Sequence, residues 1–63
     1  MLNGIKVKID EIVKFTMFTN WTFKQDSEHK ITDVSEMDKD GWFDIKVEGY
    51  NDWHCCLHFS QIK

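Results

Sequence analysis

Asp38-Lys39-Asp40-Gly41-Trp42-Phe43-Asp44-Ile45-Lys46-Val47-Glu48-Gly49 decides the fold. Asp40-Gly41 supplies the left-handed backbone position that a hairpin turn demands, and the residues after it alternate. Phe43, Ile45 and Val47 fall on one face of a strand, with Trp42, Asp44, Lys46 and Glu48 on the other. A clean period of two bounded by glycines predicts a half-buried strand over residues 42–49.

Working toward the N-terminus, Ile31 and Val34 are the apolar contacts of a preceding strand over residues 30–37, and their three-residue spacing predicts a β-bulge. Residues 24–30 are wholly polar and predict a loop. Before them, odd positions from Ile5 to Phe23 are mostly apolar, which argues for strand. So long a strand exceeds what small sheets hold, so a break is expected near Asp10-Glu11 or Thr19-Asn20. A helical stripe through Ile5, Ile9, Ile12, Val13 and Thr16, capped by Asp10, is the weaker alternative. Trp21 is assigned to the core.

Toward the C-terminus, residues 49–52 form the next turn. Residues 53–59 read as a strand with Trp53, Cys55, Leu57 and Phe59 on one face and His54, Cys56 and His58 on the other, Trp53 closing one end of the fold. A short terminal turn, Ser60-Gln61-Ile62, closes the chain. Four to five short strands joined by turns predict an all-β single domain over residues 1–63, a small antiparallel barrel or curled sheet. With unpaired edges on so small a sheet, homodimerisation by edge pairing is open.

The stretch Lys30-Ile31-Thr32-Asp33-Val34 followed by Asp40-Gly41-Trp42-Phe43-Asp44-Ile45-Lys46-Val47 resembles the central hairpin of SH3-like barrels of the KOW type. Asn3-Gly4-Ile5-Lys6-Val7-Lys8-Ile9 is similar to their first strand, and Phe59-Ser60-Gln61-Ile62 to the short helical turn that ends many of them. The likeness covers most of the chain as a pattern of strands and turns. It departs at His29, which stands where the KOW motif places a glycine. The resemblance implies an SH3-like fold and, less directly, nucleic-acid contact.

At 63 residues and 41% apolar content, the chain supports one small core and leaves little room for an enclosed catalytic cleft. Neither an apolar run of membrane-spanning length nor a secretory pattern at the start is present, so a cytoplasmic location is expected. Cys55 and Cys56 are adjacent and cannot staple distant segments, which excludes a disulfide scaffold. Asn20-Trp21-Thr22 is then a chance glycosylation match. All eight basic residues are lysine, and arginine, proline and alanine are missing, the usage of AT-rich genomes such as those of bacteriophages and mobile elements.

Three functional classes follow. His54, Cys56 and His58 on one strand face, with His29 or Asp52 as a fourth donor, hold ligand-type atoms, yet their spacing matches no structural zinc signature. His54 and His58 read as surface residues, with Cys55 a small core hydrophobe and Cys56 half-exposed and inert; no metal or other cofactor is assigned. A cysteine beside a histidine is also the minimal kit for thiol chemistry, but no phosphate-cradling loop, catalytic triad or oxyanion site accompanies it, so the chain reads as non-enzymatic.

Charge separates the other two classes. Residues 1–32 carry five lysines against four carboxylates, whereas residues 33–52 carry seven carboxylates against Lys39 and Lys46, within an overall charge of −3. A nucleic-acid or ribonucleoprotein regulator would use the lysine-bearing first strand, Lys6, Lys8 and Lys14, with Lys24 nearby. An acidic chain without arginine is poorly suited to that role. Trp42 with Asp38, Asp40, Asp44 and Glu48 instead has the composition of a protein-recognition surface aimed at a basic partner. The sequence therefore predicts a small phage or mobile-element accessory protein that binds and inhibits a host protein through an acidic, tryptophan-bearing hairpin. Phe18, Tyr50 and His54 are further surface candidates.

Overall fold

The computed structural model describes residues 1–62. Five strands, β1 (Ile12–Phe15), β2 (Glu28–Val34), β3 (Asp44–Val47), β4 (His54–Cys55) and β5 (Phe59–Gln61), form one antiparallel sheet in the order β4-β3-β2-β1-β5. The all-β expectation holds. The two ends of this order, β4 and β5, are joined by a single 3₁₀ turn, Cys56–His58.

β1 begins where the sequence placed a break. Asp10 adopts a left-handed conformation (φ 77°), and its N–H donates to the Ile31 carbonyl at 2.8 Å, so pairing with β2 starts there. The alternation then orients β1: Val13 and Phe15 point into the core while Ile12 and Lys14 face out. Residues 5–8 keep the same in-and-out burial without joining the sheet, so the first strand expected at residues 3–9 is an extended arm instead. The helical alternative for this region does not form. Leu2, ahead of the visible pattern, is fully buried; its N–H donates to the Cys56 carbonyl at 3.0 Å.

β2 opens two residues inside the segment read as loop and carries the expected bulge. Ile31 pairs with Val47 but Asp33 with Lys46, so Thr32 is the extra residue and Ile31 and Val34 both turn toward the core. The connection to β3 is closed by ladder-like bonds from Ser35 N–H to the Asp44 carbonyl (2.9 Å) and from Asp38 N–H to the Trp42 carbonyl (2.9 Å). Gly41, at φ 89°, supplies the predicted turn. β3 covers only Asp44–Val47 of the strand expected over residues 42–49, but the inward face is as read from sequence: Phe43 just ahead of it and Ile45 and Val47 within it are buried.

The C-terminal segment departs from its reading. Residues 53–59 are not one strand, because β4 is only two residues long and the 3₁₀ turn breaks the alternation. Cys56 is therefore fully buried and Cys55 half-buried, the reverse of the expectation, while Leu57 and Trp53 are exposed. Trp53 does not close an end of the fold; its ring lies under the Lys46 ammonium, 4.7 Å away. Residues 59–61 pair with β1 as β5, so the helical turn precedes the last strand rather than ending the chain.

Candidate functional site

The acidic hairpin is built on Asp38. Its Oδ1 accepts the N–H groups of Asp40 and Trp42, both at 2.9 Å, so one carboxylate shapes the turn that presents the tryptophan. Trp42 leaves the turn on the outer face of the chain and remains 39% exposed. The Asp44 N–H donates to Ser35 Oγ at 2.7 Å, which fixes the start of β3 against the incoming end of the loop.

Together these residues line a shallow cleft of about 300 Å³ whose walls are Ser35, Glu36, Asp38, Trp42, Phe43, Asp44 and Cys55. Three of the predicted residues, Trp42, Asp38 and Asp44, thus come together. Asp40 and Glu48 do not join them: Asp40 lies at the turn apex, where its carbonyl accepts Asn3 Nδ2 at 3.2 Å, and Glu48 follows β3, its N–H on the Lys30 carbonyl. Glu36 is a lining residue that sequence reasoning missed, because it sits in an irregular stretch with no period to place it. The cleft adjoins a second, more apolar one of about 230 Å³ lined by Ile5, Lys6, Val7, Val34, Ser35, Met37 and Phe43. Ser35 and Phe43 belong to both.

The lysines are dispersed by comparison. Lys6 and Lys8 lie on the exposed side of the N-terminal arm, Lys24 in the long β1–β2 loop, and Lys14 in β1 directly opposite Glu28. His54, Cys56 and His58 do not share a face, since Cys56 points into the core; burial pushes its thiol up from the ordinary value. Among the described residues, no three His, Cys, Asp or Glu side chains are grouped to hold a metal ion, and no helix is long and apolar enough to cross a membrane.

A second cluster was invisible in the sequence. Phe23, the buried residue of the β1–β2 loop, is ringed by Phe15, His29, Tyr50, His54 and Phe59 at centroid distances of 5.0, 4.7, 4.8, 4.9 and 5.6 Å. Trp21, expected in the core, is instead fully exposed in that loop, and Phe18 of the same loop is 84% exposed. The reason is local: Asn20 Oδ1 accepts the N–H groups of Thr22 (2.8 Å) and Phe23 (2.7 Å), a turn that sends Phe23 inward and Trp21 outward. No protein-family model, curated protein or solved structure matches the chain.

Proposed function

We propose that this chain is a non-enzymatic interaction module of phage or mobile-element origin that acts in the host cytoplasm by occupying a basic surface of a host protein. The observation that carries this reading is the convergence of Glu36, Asp38 and Asp44 on one cleft with Trp42. A lysine or arginine of the partner entering that cleft meets three carboxylates and an aromatic face, which suits a cation. The adjoining cleft, with Ile5, Val7, Val34 and Met37, offers an apolar contact beside the charged one, the combination of anchor and polar surround found in protein interfaces. Inhibition would be steric and electrostatic, the carboxylates standing in for the phosphate charge that a nucleic-acid-processing target expects.

The five-stranded sheet, the bulged β2 and the single 3₁₀ turn ahead of β5 are in keeping with the SH3-like resemblance. The dispersal of Lys6, Lys8 and Lys14, with Glu28 opposite the last of them, favours the acidic cleft over a phosphate-binding strand.

The deciding experiment is a nuclease-treated pull-down from host lysate with wild type beside Trp42→Ala/Asp44→Lys. A specific protein is expected with wild type and lost with the variant, its capture weakening as salt rises. Capture that depends on nucleic acid, ignores this variant and disappears with Lys6→Glu/Lys8→Glu would replace the proposal with the nucleic-acid reading.

A further inference from the structure

The loop over residues 16–27 is the longest irregular segment among the described residues, and Phe23 is its one buried side chain. Two of the rings that hold Phe23 are imidazoles from different strands, His29 of β2 and His54 of β4. We propose that His29 and His54 form an acid-sensitive latch, which in its neutral state holds the aromatic loop against the sheet through Phe23 and on protonation lets it go.

The geometry specifies the neutral state of His54 and the donor atom of His29. Among the described residues, His54 Nε2 has no hydrogen-bond partner, and it is closed off from solvent. A neutral ring can leave that nitrogen as a bare lone pair, whereas an imidazolium carries N–H on both nitrogens and would bury an unmet, charged donor. His29 Nε2 lies 2.7 Å from Ser27 Oγ, whose single hydroxyl proton is already donated to the Lys24 carbonyl at 2.6 Å. His29 must therefore be the donor, through an Nε2–H that the neutral ring already supplies, so this contact asks for no second proton. A second proton on either ring places positive charge beside the same phenyl group, and two such charges repel across it.

Other ionisable groups near the latch do not reverse this. His54 is approached by Asp52 on the preceding turn and Asp44 of β3, which favour its charged form, and by His58 of the 3₁₀ turn, which opposes it. Burial outweighs the carboxylates and holds His54 below its ordinary value of 6.5. His29 faces Val13 across the β1–β2 ladder, and Tyr50 and Phe59 in the cluster; burial first and then His54 hold it below 6.5 as well. Tyr50 completes the latch, its hydroxyl donating to the Thr22 carbonyl at 3.1 Å.

The sign of the linkage follows. Both imidazoles bind protons more readily when the loop is open, so opening is favoured as pH falls below 6.5, by up to about tenfold per pH unit for each proton taken up. Amide exchange of Thr22 and Phe23, whose N–H groups bond Asn20, reads the opening directly, with Ile31 as the core reference. Corrected for intrinsic rates, loop opening relative to the core is expected to rise about tenfold between about pH 7.5 and about pH 5.

His54→Phe combined with His29→Gln keeps an aromatic ring against Phe23 while removing both titrating groups, and should flatten this dependence. A rise below about threefold in the wild type, or a double variant that keeps the wild-type pH dependence, overturns the latch. Should the double variant not fold, NMR titration of the wild-type rings decides: midpoints for His29 and His54 below 6.5 support the proposal, and midpoints at or above it refute it.

Discussion

Gly4 donates its N–H to the Gly41 carbonyl at 3.0 Å, and a Cβ added at Gly41 would stand 2.9 Å from that same nitrogen. The N-terminal arm is thus closed onto the acidic turn through a contact that only glycine permits. Asn3 Nδ2 on the Asp40 carbonyl fastens the arm a second time. The arm that bears Lys6 and the turn that presents Trp42 are consequently one unit, although residues on the two lie far apart in sequence.

Substitution at Gly41 should therefore be far more costly than at Gly49, although both sit at nearly the same left-handed φ, 89° and 88°. Nothing lies within 4 Å of a Cβ at Gly49, so Gly49→Ala carries the backbone penalty alone, about 1 kcal/mol. Gly41→Ala adds the collision with Gly4 and the loss of its hydrogen bond, for about 3 kcal/mol in total. In a domain of this size the melting midpoint should fall by about 6 °C for Gly49→Ala and by two to three times that for Gly41→Ala. Equal shifts in thermal denaturation would show that the arm is not closed on the turn.

Phe23 and Trp21 are separated by one residue and should respond oppositely to truncation. Phe23→Ala empties the centre of the aromatic cluster, a loss of about 3–5 kcal/mol, against a total stability of about 3–9 kcal/mol for a chain of this length. The stability read from urea denaturation should then fall by at least about a third. Trp21→Ala removes a side chain that touches solvent only, and the urea midpoint should move by no more than about 0.5 kcal/mol in stability. A large loss on Trp21→Ala would place that ring in the core, as its size and apolar character first suggested.

What was legible in the sequence, and what was not, divides along physical lines. β3 was readable because turn chemistry and alternation agree there: Gly41 sits in the turn ahead of it, and Phe43 just before the strand and Ile45 and Val47 within it are all buried. The bulge was readable because Ile31 and Val34 can both face inward only if Thr32 is extra. Alternation reports which way side chains point, not whether a partner strand exists, so residues 5–8 looked like a strand though they pair with none. In the C-terminal segment the 3₁₀ turn shifts the phase within a few residues, exchanging the environments of Cys55 and Cys56. The candidate cleft was half legible: Trp42, Asp38 and Asp44 follow from the hairpin, but Glu36 depends on how an irregular connection folds back. The histidine cluster had no signal, since Phe23, His29, Tyr50 and His54 meet only through the tertiary fold.

The outer face of β3 gives a test of electrostatic packing independent of any partner. Lys46 Nζ over the Trp53 ring is a partly exposed cation–π pair, a class of contact contributing about 0.5–1 kcal/mol. Lys46→Met keeps the aliphatic stem on the ring and removes the charge, so its cost should stay within that range, whereas Trp53→Ala removes both contacts and should cost more. A double-mutant cycle by chemical denaturation isolates the coupling. Coupling indistinguishable from zero would mean that Trp53 is held by its turn rather than by the lysine.

The adjacent cysteines offer the sharpest contrast in reactivity. The thiolate is the reacting form of cysteine, and it must be reached by the reagent. Cys56 fails on both counts: it is fully buried, burial pushes its thiol up, and its backbone is fixed on two sides, its N–H on the Phe43 carbonyl (3.1 Å) and its carbonyl on the Leu2 N–H (3.0 Å). Cys55, one residue earlier, is half-buried on the short β4 edge strand. Under native conditions a maleimide should label one thiol quickly, and in denaturant both. In Cys55→Ser the remaining thiol should react only as fast as the protein opens, at least about a hundredfold slower than the thiol of Cys56→Ala, for a domain stable by 3 kcal/mol or more. Mass spectrometry of quenched time points reads both rates. Rapid labelling in Cys55→Ser would return Cys56 to the surface, restore an unbroken strand over residues 53–59, and remove the 3₁₀ turn on which the join of β4 to β5 depends.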